Sequence, residues 1–308
     1  MSTTLVTGFF NIKHVEDATS LSRPLEFYLE NAKYTLSQPF PMIIFCDPSL
    51  KEDIKGIRDR ECPDNQTIYV EKNITEYETW NQCKSIVIKN REGDPQYIGS
   101  RTTPSFFLVT SFKYQAVKIA YDMNPWKTTH FAWIDFGGGH VCKDIADYLP
   151  DIVRNPGPKV SILYIHYRSL VELSNMKRYM QHGPCGIAGN FWTIEGSYVD
   201  RFYLATQELF YKQLYEGVGH NDEQTLSFVH ARYPDLFRFY WGDYASVYSN
   251  YFYVRKDYGS VRWHFIKNAL NAGDKKAARE AAQNVLQSCC LGFLHLPNEE
   301  KLFLQSIL

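Results

Sequence analysis

Four short apolar runs punctuate the first 135 residues, and they restrict the chain more than any other feature. Thr4-Leu5-Val6-Thr7, Met42-Ile43-Ile44-Phe45, Thr67-Ile68-Tyr69-Val70 and Phe131-Ala132-Trp133-Ile134 are each of strand length. Helical patterns separate them. Ser22 and Pro24 announce one helix start, and Leu25, Tyr28, Leu29, Ala32 and Leu36 then fall on one face. A second helix is predicted from Thr103-Pro104 to about Asp122, with Val109, Phe112, Ala116, Ile119 and Ala120 inward; Asn124-Pro125 breaks it. Such alternation predicts an α/β fold whose sheet has parallel segments. Ligands of these sheets sit beyond the carboxyl ends of the strands. Gly8, Asp47 and Asp135 are therefore expected just past strand ends, on one edge.

The second half continues with a strand over Val160–Ile165, then "HGPCGIAGNFWTIEG", a glycine-bearing stretch that a plain loop explains. A helix is predicted from about Val199 to Glu216, stopped by Gly217, and another opens at Asn221 or Asp222 with acids in its first turn. Leu236–Tyr240 reads as a strand, and the chain from Val261 as largely helical.

The stretch "HFAWIDFGGGH" carries Asp-Phe-Gly after an apolar strand, as a protein kinase does. The chain has no His-Arg-Asp, and its first hundred residues hold no glycine-rich phosphate loop, so the kinase reading fails. What remains is a strand that delivers a carboxylate into a glycine-rich turn. That carboxylate suits a hard divalent cation on a diphosphate, and Asp before three glycines is equally good turn chemistry.

Composition excludes several classes. The net charge of −1 gives no reason to expect nucleic acid or an anionic membrane as partner. No apolar run approaches the length of a membrane span, and the N-terminus lacks a secretory pattern. Seven cysteines without a C-x-x-C pair read as reduced thiols of a cytoplasmic protein. The 22 Tyr and 20 Phe fit a core of large residues, or a site where flat rings stack on sugars and bases.

Three stretches, "FAWIDFG", "GIAGNFW" and "GHNDEQTLSFVHARYPDLFRFYWGDYASVYSNY", together resemble the HtrL/YibB-type proteins, which are glycosyltransferase-like proteins of GT-A type. "TLVTGFFNIKH" and "NPWKTTHFAWID" fit the same family, so the resemblance covers about residues 3–255. It implies a GT-A-type fold with one Rossmann-like, mainly parallel sheet. Residues 1–260 would form the nucleotide-sugar and acceptor domain, with 261–308 a helical extension packed on it.

The implied activity is transfer of a sugar from a nucleotide sugar, a UDP-sugar, to a glycan or protein acceptor with Mn²⁺ or Mg²⁺. Where the family type carries Asp-x-Asp, this chain reads Asp135-Phe136-Gly137, so a single Asp remains for the metal. His264 stands as a distal metal ligand, or as a structural His beside aromatics. Thr7, Gly8, Phe9, Asp47, Arg101, Lys118 and Asp135 fall to the nucleotide. For Lys118 a solvated helix face is the competing reading. Gly186, Gly189, Asn190 and His220 fall to the sugar and acceptor. Asp222 and Glu223 fall to catalysis, as base or donor-orienting carboxylate, and helix capping explains them too. The alternative function is a catalytically silent nucleotide-sugar or glycan-binding protein.

Overall fold

A computed structural model describes residues 2–12, 23–64, 66–92, 103–182, 185–219, 221–257 and 259–308. Seven strands form one sheet: β1 (Thr3–Phe9), β2 (Met42–Cys46), β3 (Thr67–Glu71), β4 (His130–Ile134), β5 (Val160–Tyr164), β6 (Ile187–Glu195) and β7 (Phe237–Trp241), in the order β3-β2-β1-β4-β6-β5-β7. All neighbours pair in parallel except β6, which runs antiparallel to both β4 and β5. The mixed, mainly parallel α/β sheet expected from the sequence is thus the fold.

Helices cover both faces: α1 (Leu25–Leu36), α2 (Lys51–Glu61), α3 (Glu78–Arg91), α4 (Pro104–Met123), α5 (Ile145–Arg154), α6 (Leu170–Leu173), α7 (Met176–His182), α8 (Gly196–Tyr215) and α9 (Asp222–Arg232). A π-helical turn over Ser260–Ile266 then leads into α10 (Lys267–Asn271), α11 (Lys275–Cys290) and α12 (Asn298–Gln305). Local chemistry sets the bounds. Thr103 caps α4 by accepting from the Phe106 N–H, and Pro104 occupies the first turn, where no N–H is needed. Asn124, at φ 28°, ends that helix. Asn221 caps α9 by accepting from the Gln224 N–H at 3.1 Å.

Two apolar cores lie on opposite faces of the sheet. Strand residues alternate between them: Val6, Ile43 and Trp133 on one side, Leu5, Ile44 and Ala132 on the other. The first core also takes up Val261, Phe265, Ile266, Ala269, Ala278, Ala281, Ala282, Val285 and Leu304 from the C-terminal helices. All seven cysteines are free thiols, as expected. Among the described residues no helix is long and apolar enough to cross a membrane.

"GIAGNFW" is not a loop. It is the start of β6, buried on both sides between β4 and β5. Because β6 runs backwards, its first residues come to the carboxyl ends of β4 and β5.

Candidate active site

The order of strands reverses around β1, whose neighbours are β2 and β4. The carboxyl ends of β1 and β4 therefore frame the crevice where ligands of open α/β sheets bind. Asp135 stands there, directly after β4. Its backbone N–H donates to the Asn190 carbonyl at 2.9 Å, which ties the end of β4 to β6. The Thr35 hydroxyl donates to the Asp135 carbonyl at 3.1 Å. The glycines that follow permit close approach to α1: a Cβ on Gly139 would lie 2.7 Å from the Asn31 carbonyl oxygen.

The centre of the site is a residue that the sequence reading passed over. Lys113, on α4, is buried, with 5% of its side chain exposed. Its Nζ lies 2.7 Å from Asp222 Oδ2 and 3.5 Å from Asp135 Oδ1, and it donates to the Gly189 carbonyl at 2.9 Å. The Trp133 indole N–H also donates to Asp135 Oδ1, at 2.7 Å. Gly189 is small for a reason: a Cβ there would sit 2.1 Å from Asp222 Oδ2. β6 and the start of α9 meet only because that position is empty.

Glu223 stands next to this pair. Its Oε1 accepts from the Gly189 N–H at 3.2 Å and its Oε2 from the Tyr244 hydroxyl at 2.6 Å. The Cys185 thiol also hydrogen-bonds Glu223. Burial, and then Glu223 itself, push that thiol up to about 12, so it stays a protonated donor.

Two carboxylates thus share one ammonium, with a third, Glu223, close by. Burial alone would lower the Lys113 value, but Asp135 and Asp222 more than offset it and hold the lysine above its ordinary range. Burial, followed by the neighbouring Asp222, raises Glu223; the bonds from Cys185, Tyr244 and Gly189 counter part of that rise. Asp135 is raised by burial against the pull of Lys113, and the 41% of its side chain still open to solvent moderates that push.

The sign of the pH dependence follows. Glu223 and Asp135 bind protons more tightly folded than unfolded. Their contribution to stability is complete below the unfolded carboxyl values, about 4, and is lost as pH rises through the elevated folded values. Urea midpoints measured from pH 4 upward should fall less steeply in Glu223→Gln than in the wild type. Parallel curves would remove the claim that Glu223 titrates high.

The other sequence-derived candidates divide. Gly8, Asp47 and Asp135 do share one sheet edge, since β1, β2 and β4 are parallel neighbours. β1 runs on to Phe9, however, so Thr7 and Gly8 lie inside the strand, and Thr7 is fully buried. Phe9 stacks on Phe136, with ring centroids 4.7 Å apart and planes 9° apart. Asp47 is buried and accepts from the Asn11 N–H at 2.5 Å, so it holds the chain leaving β1. Gly186 immediately precedes β6 and Asn190 lies within it; the Asn190 side-chain oxygen is buried without a partner.

Lys118 is a misplacement. It pairs with Asp122 at 2.5 Å and Asp200 at 3.2 Å. Asp200 follows the end of β6 that pairs with the first residue of β4, so Lys118 serves the edge opposite Asp135. Arg101 and His220 lie outside the described residues.

His264 is exposed, its ring 5.6 Å from that of His166 in an edge-on contact. Among the described residues no three His, Cys, Asp or Glu side chains are placed to hold a metal ion. Among the described residues Asp135 Oδ1 takes both hydrogen bonds to that carboxylate and Oδ2 takes none, so Oδ2 could hold one side of a cation but not cage it.

Tyr244, Cys185 and Trp133 also escaped the sequence reading. For Lys113 a signal existed. It follows Val109 by four residues and precedes Ala116 by three, which puts it on the inward face already assigned to that helix.

Solved structures similar to the chain include mouse xyloside xylosyltransferase 1 in its apo form, with 12% identity, a TM-score of 0.43, and 78% of this chain and 85% of that chain covered. Core-mannan synthase A from Aspergillus fumigatus, in an Mn/GDP form, has 13% identity, a TM-score of 0.44 and coverage of 78% and 72%. The 4-diphosphocytidyl-2C-methyl-D-erythritol synthase of Anaerococcus prevotii has 10% identity, a TM-score of 0.36 and coverage of 80% and 91%. A comparison with curated proteins finds no match. Residues 1–252 match the family described as "Bacterial protein of unknown function (HtrL_YibB)", and the chain belongs to that family.

Proposed function

We propose that the protein is a GT-A-type glycosyltransferase that moves a sugar from a nucleotide sugar, a uridine diphosphate sugar, to a glycan or protein acceptor. One observation carries the reading. Asp135 and Asp222, from two distant segments, converge on Lys113 at the carboxyl edge of the sheet, beside the strand-order reversal, and Glu223 stands next to them on the Gly189 N–H.

The donor's diphosphate is assigned to the crevice next to Asp135 and Phe9. A divalent cation held by Asp135 Oδ2 and the phosphates would neutralise charge on the departing diphosphate. Asp222, fixed by Lys113, orients the sugar. Glu223, held between the Gly189 N–H and the Tyr244 hydroxyl, takes the proton of the acceptor hydroxyl. Its raised value brings its proton affinity closer to that of a base working near neutral pH.

The presence of Gly137 where a second Asp would stand favours a second reading, a nucleotide-sugar-binding protein without turnover. Slow donor hydrolysis separates the two.

Binding tests the site itself. Uridine diphosphate at a hundredfold excess over its Kd should stabilise the folded chain by about 2.7 kcal/mol, and by more with Mn²⁺ than with a chelator. Asp135→Asn should abolish the metal-dependent part with little change in unliganded melting. Equal stabilisation with and without Mn²⁺ in the wild type would refute the metal role. No response to any nucleotide diphosphate would sink the donor assignment.

A further inference from the structure

On the far edge of the sheet, away from Asp135, β7 has no strand beyond it among the described residues. A cavity of about 810 Å³ lies there, between β7 and α11. A second cavity of about 250 Å³ shares Phe239, Trp241, His230 and Glu280 with it and continues to Arg168. The two cavities adjoin along those shared residues, as a groove in two parts. Arg168 donates from Nη2 to the Cys185 carbonyl at 2.8 Å, and Cys185 is the residue whose thiol meets Glu223. Arg168 and Cys185 thus stand between the groove and Glu223.

Its lining is neither apolar nor strongly charged. Phe237 and Phe239 stack with planes 6° apart, and His230 meets Phe239 edge-on at 4.7 Å. Burial lowers His230 to about 4, so it is uncharged near neutral pH. Opposite this aromatic wall, α11 contributes the amides of Gln283, Asn284 and Gln287. The cations Lys159, Arg238 and Lys276 are nearly balanced by Asp235 and Glu280. Near balance disfavours a polyanion, which needs a clear excess of positive charge. A lipid tail would leave the amides unsatisfied. The Trp241 indole N–H and the Asn284 side-chain oxygen are buried and have no hydrogen-bond partner among the described residues. Flat apolar rings faced by amides suit a ligand with apolar C–H faces and a hydroxyl rim.

We infer that this groove binds a neutral oligosaccharide, laid along β7 with one end directed toward Glu223. The inference rests on the transferase reading for what the bound chain is for, since it makes the acceptor an oligosaccharide. Binding itself needs no donor and no turnover.

The test is binding of the full-length chain, without nucleotide, to an array of short neutral and acidic oligosaccharides and extended peptides. Neutral oligosaccharides should bind. Phe239→Ala and Gln283→Lys should each weaken them by about tenfold, the loss of one good contact. Gln283 is exposed on α11, so that variant tests the groove even if Phe239→Ala folds poorly. Absence of oligosaccharide binding, or binding that neither variant weakens, would overturn the inference. So would selective capture of peptides, lost in the same variants, which would make β7 a strand-addition edge. A nucleotide titration run in parallel keeps the two readings apart. Oligosaccharide binding without nucleotide binding removes the donor assignment and leaves the groove. The reverse removes only the groove.

Discussion

Lys113→Met should destabilise the protein by roughly 3–5 kcal/mol, the cost of removing one partner from a buried ion pair. Methionine keeps the unbranched shape and helix propensity of lysine, so packing and α4 change little. What changes is charge. Asp222, with 6% of its side chain exposed, loses the ammonium 2.7 Å away and keeps only the carboxylates beside it. Asp135, more open to water, suffers less. Urea unfolding should show a lower midpoint at an unchanged slope. Adding Asp222→Asn to Lys113→Met should restore part of the loss, because the uncompensated charge is then gone. The double-mutant cycle should show strong coupling between the two positions. A loss under about 1 kcal/mol, within the range of exposed pairs, would mean that the three acids do not depend on this lysine.

Glu223→Gln is expected to have the largest effect on turnover. Removing a general base typically costs roughly 10²–10⁴-fold. The substitution is nearly isosteric. Its carbonyl oxygen can still accept from the Gly189 N–H, and its amide can donate to the Tyr244 oxygen. Stability should therefore hold or rise slightly, since a raised, buried carboxyl is replaced by a neutral group. The measurement is donor turnover, in transfer or in hydrolysis, beside thermal melting. Full turnover in the variant would reduce Glu223 to a structural role at the start of α9. Lost turnover together with a collapsed melting point would fail to assign it a chemical one. Tyr244→Phe then provides the finer test. It removes the 2.6 Å bond to Oε2 and should shift the pH profile of turnover upward, because that bond lowers the Glu223 value.

The sequence made the front half of the fold legible because its strands are short, apolar and separated by amphipathic helices. β1, β2, β3 and β4 all lie where the apolar runs predicted, to within about two residues, which is ordinary fraying of boundaries. β6 was hidden for physical reasons. A strand buried on both faces shows no alternation, and the glycines at 186 and 189 imitate a turn. Those glycines answer to crowding: Gly189 leaves room for Asp222. The site was half legible. Asp135 was marked by its strand end, and Asp222 and Glu223 by their helix start, but neither mark says that the two places meet. Lys118 and Lys113 are both cations on one helix, and composition does not tell a buried ammonium from a solvated one. Only the inward register of Lys113 separated them.

The family match stops at residue 252, whereas the larger core does not. Val261, Phe265, Ile266, Ala269 and Val285 are each at most 1% exposed, and the Ser288 hydroxyl accepts from the Val254 N–H at 2.9 Å. The segment that the family model matches is therefore smaller than the segment that shares the core. A protein cut at the family boundary would expose a greasy flank and one wall of the β7 groove, and would tend to aggregate before its chemistry could be assayed. For this chain the matched segment and the packed core have different ends, and expression boundaries belong with the second.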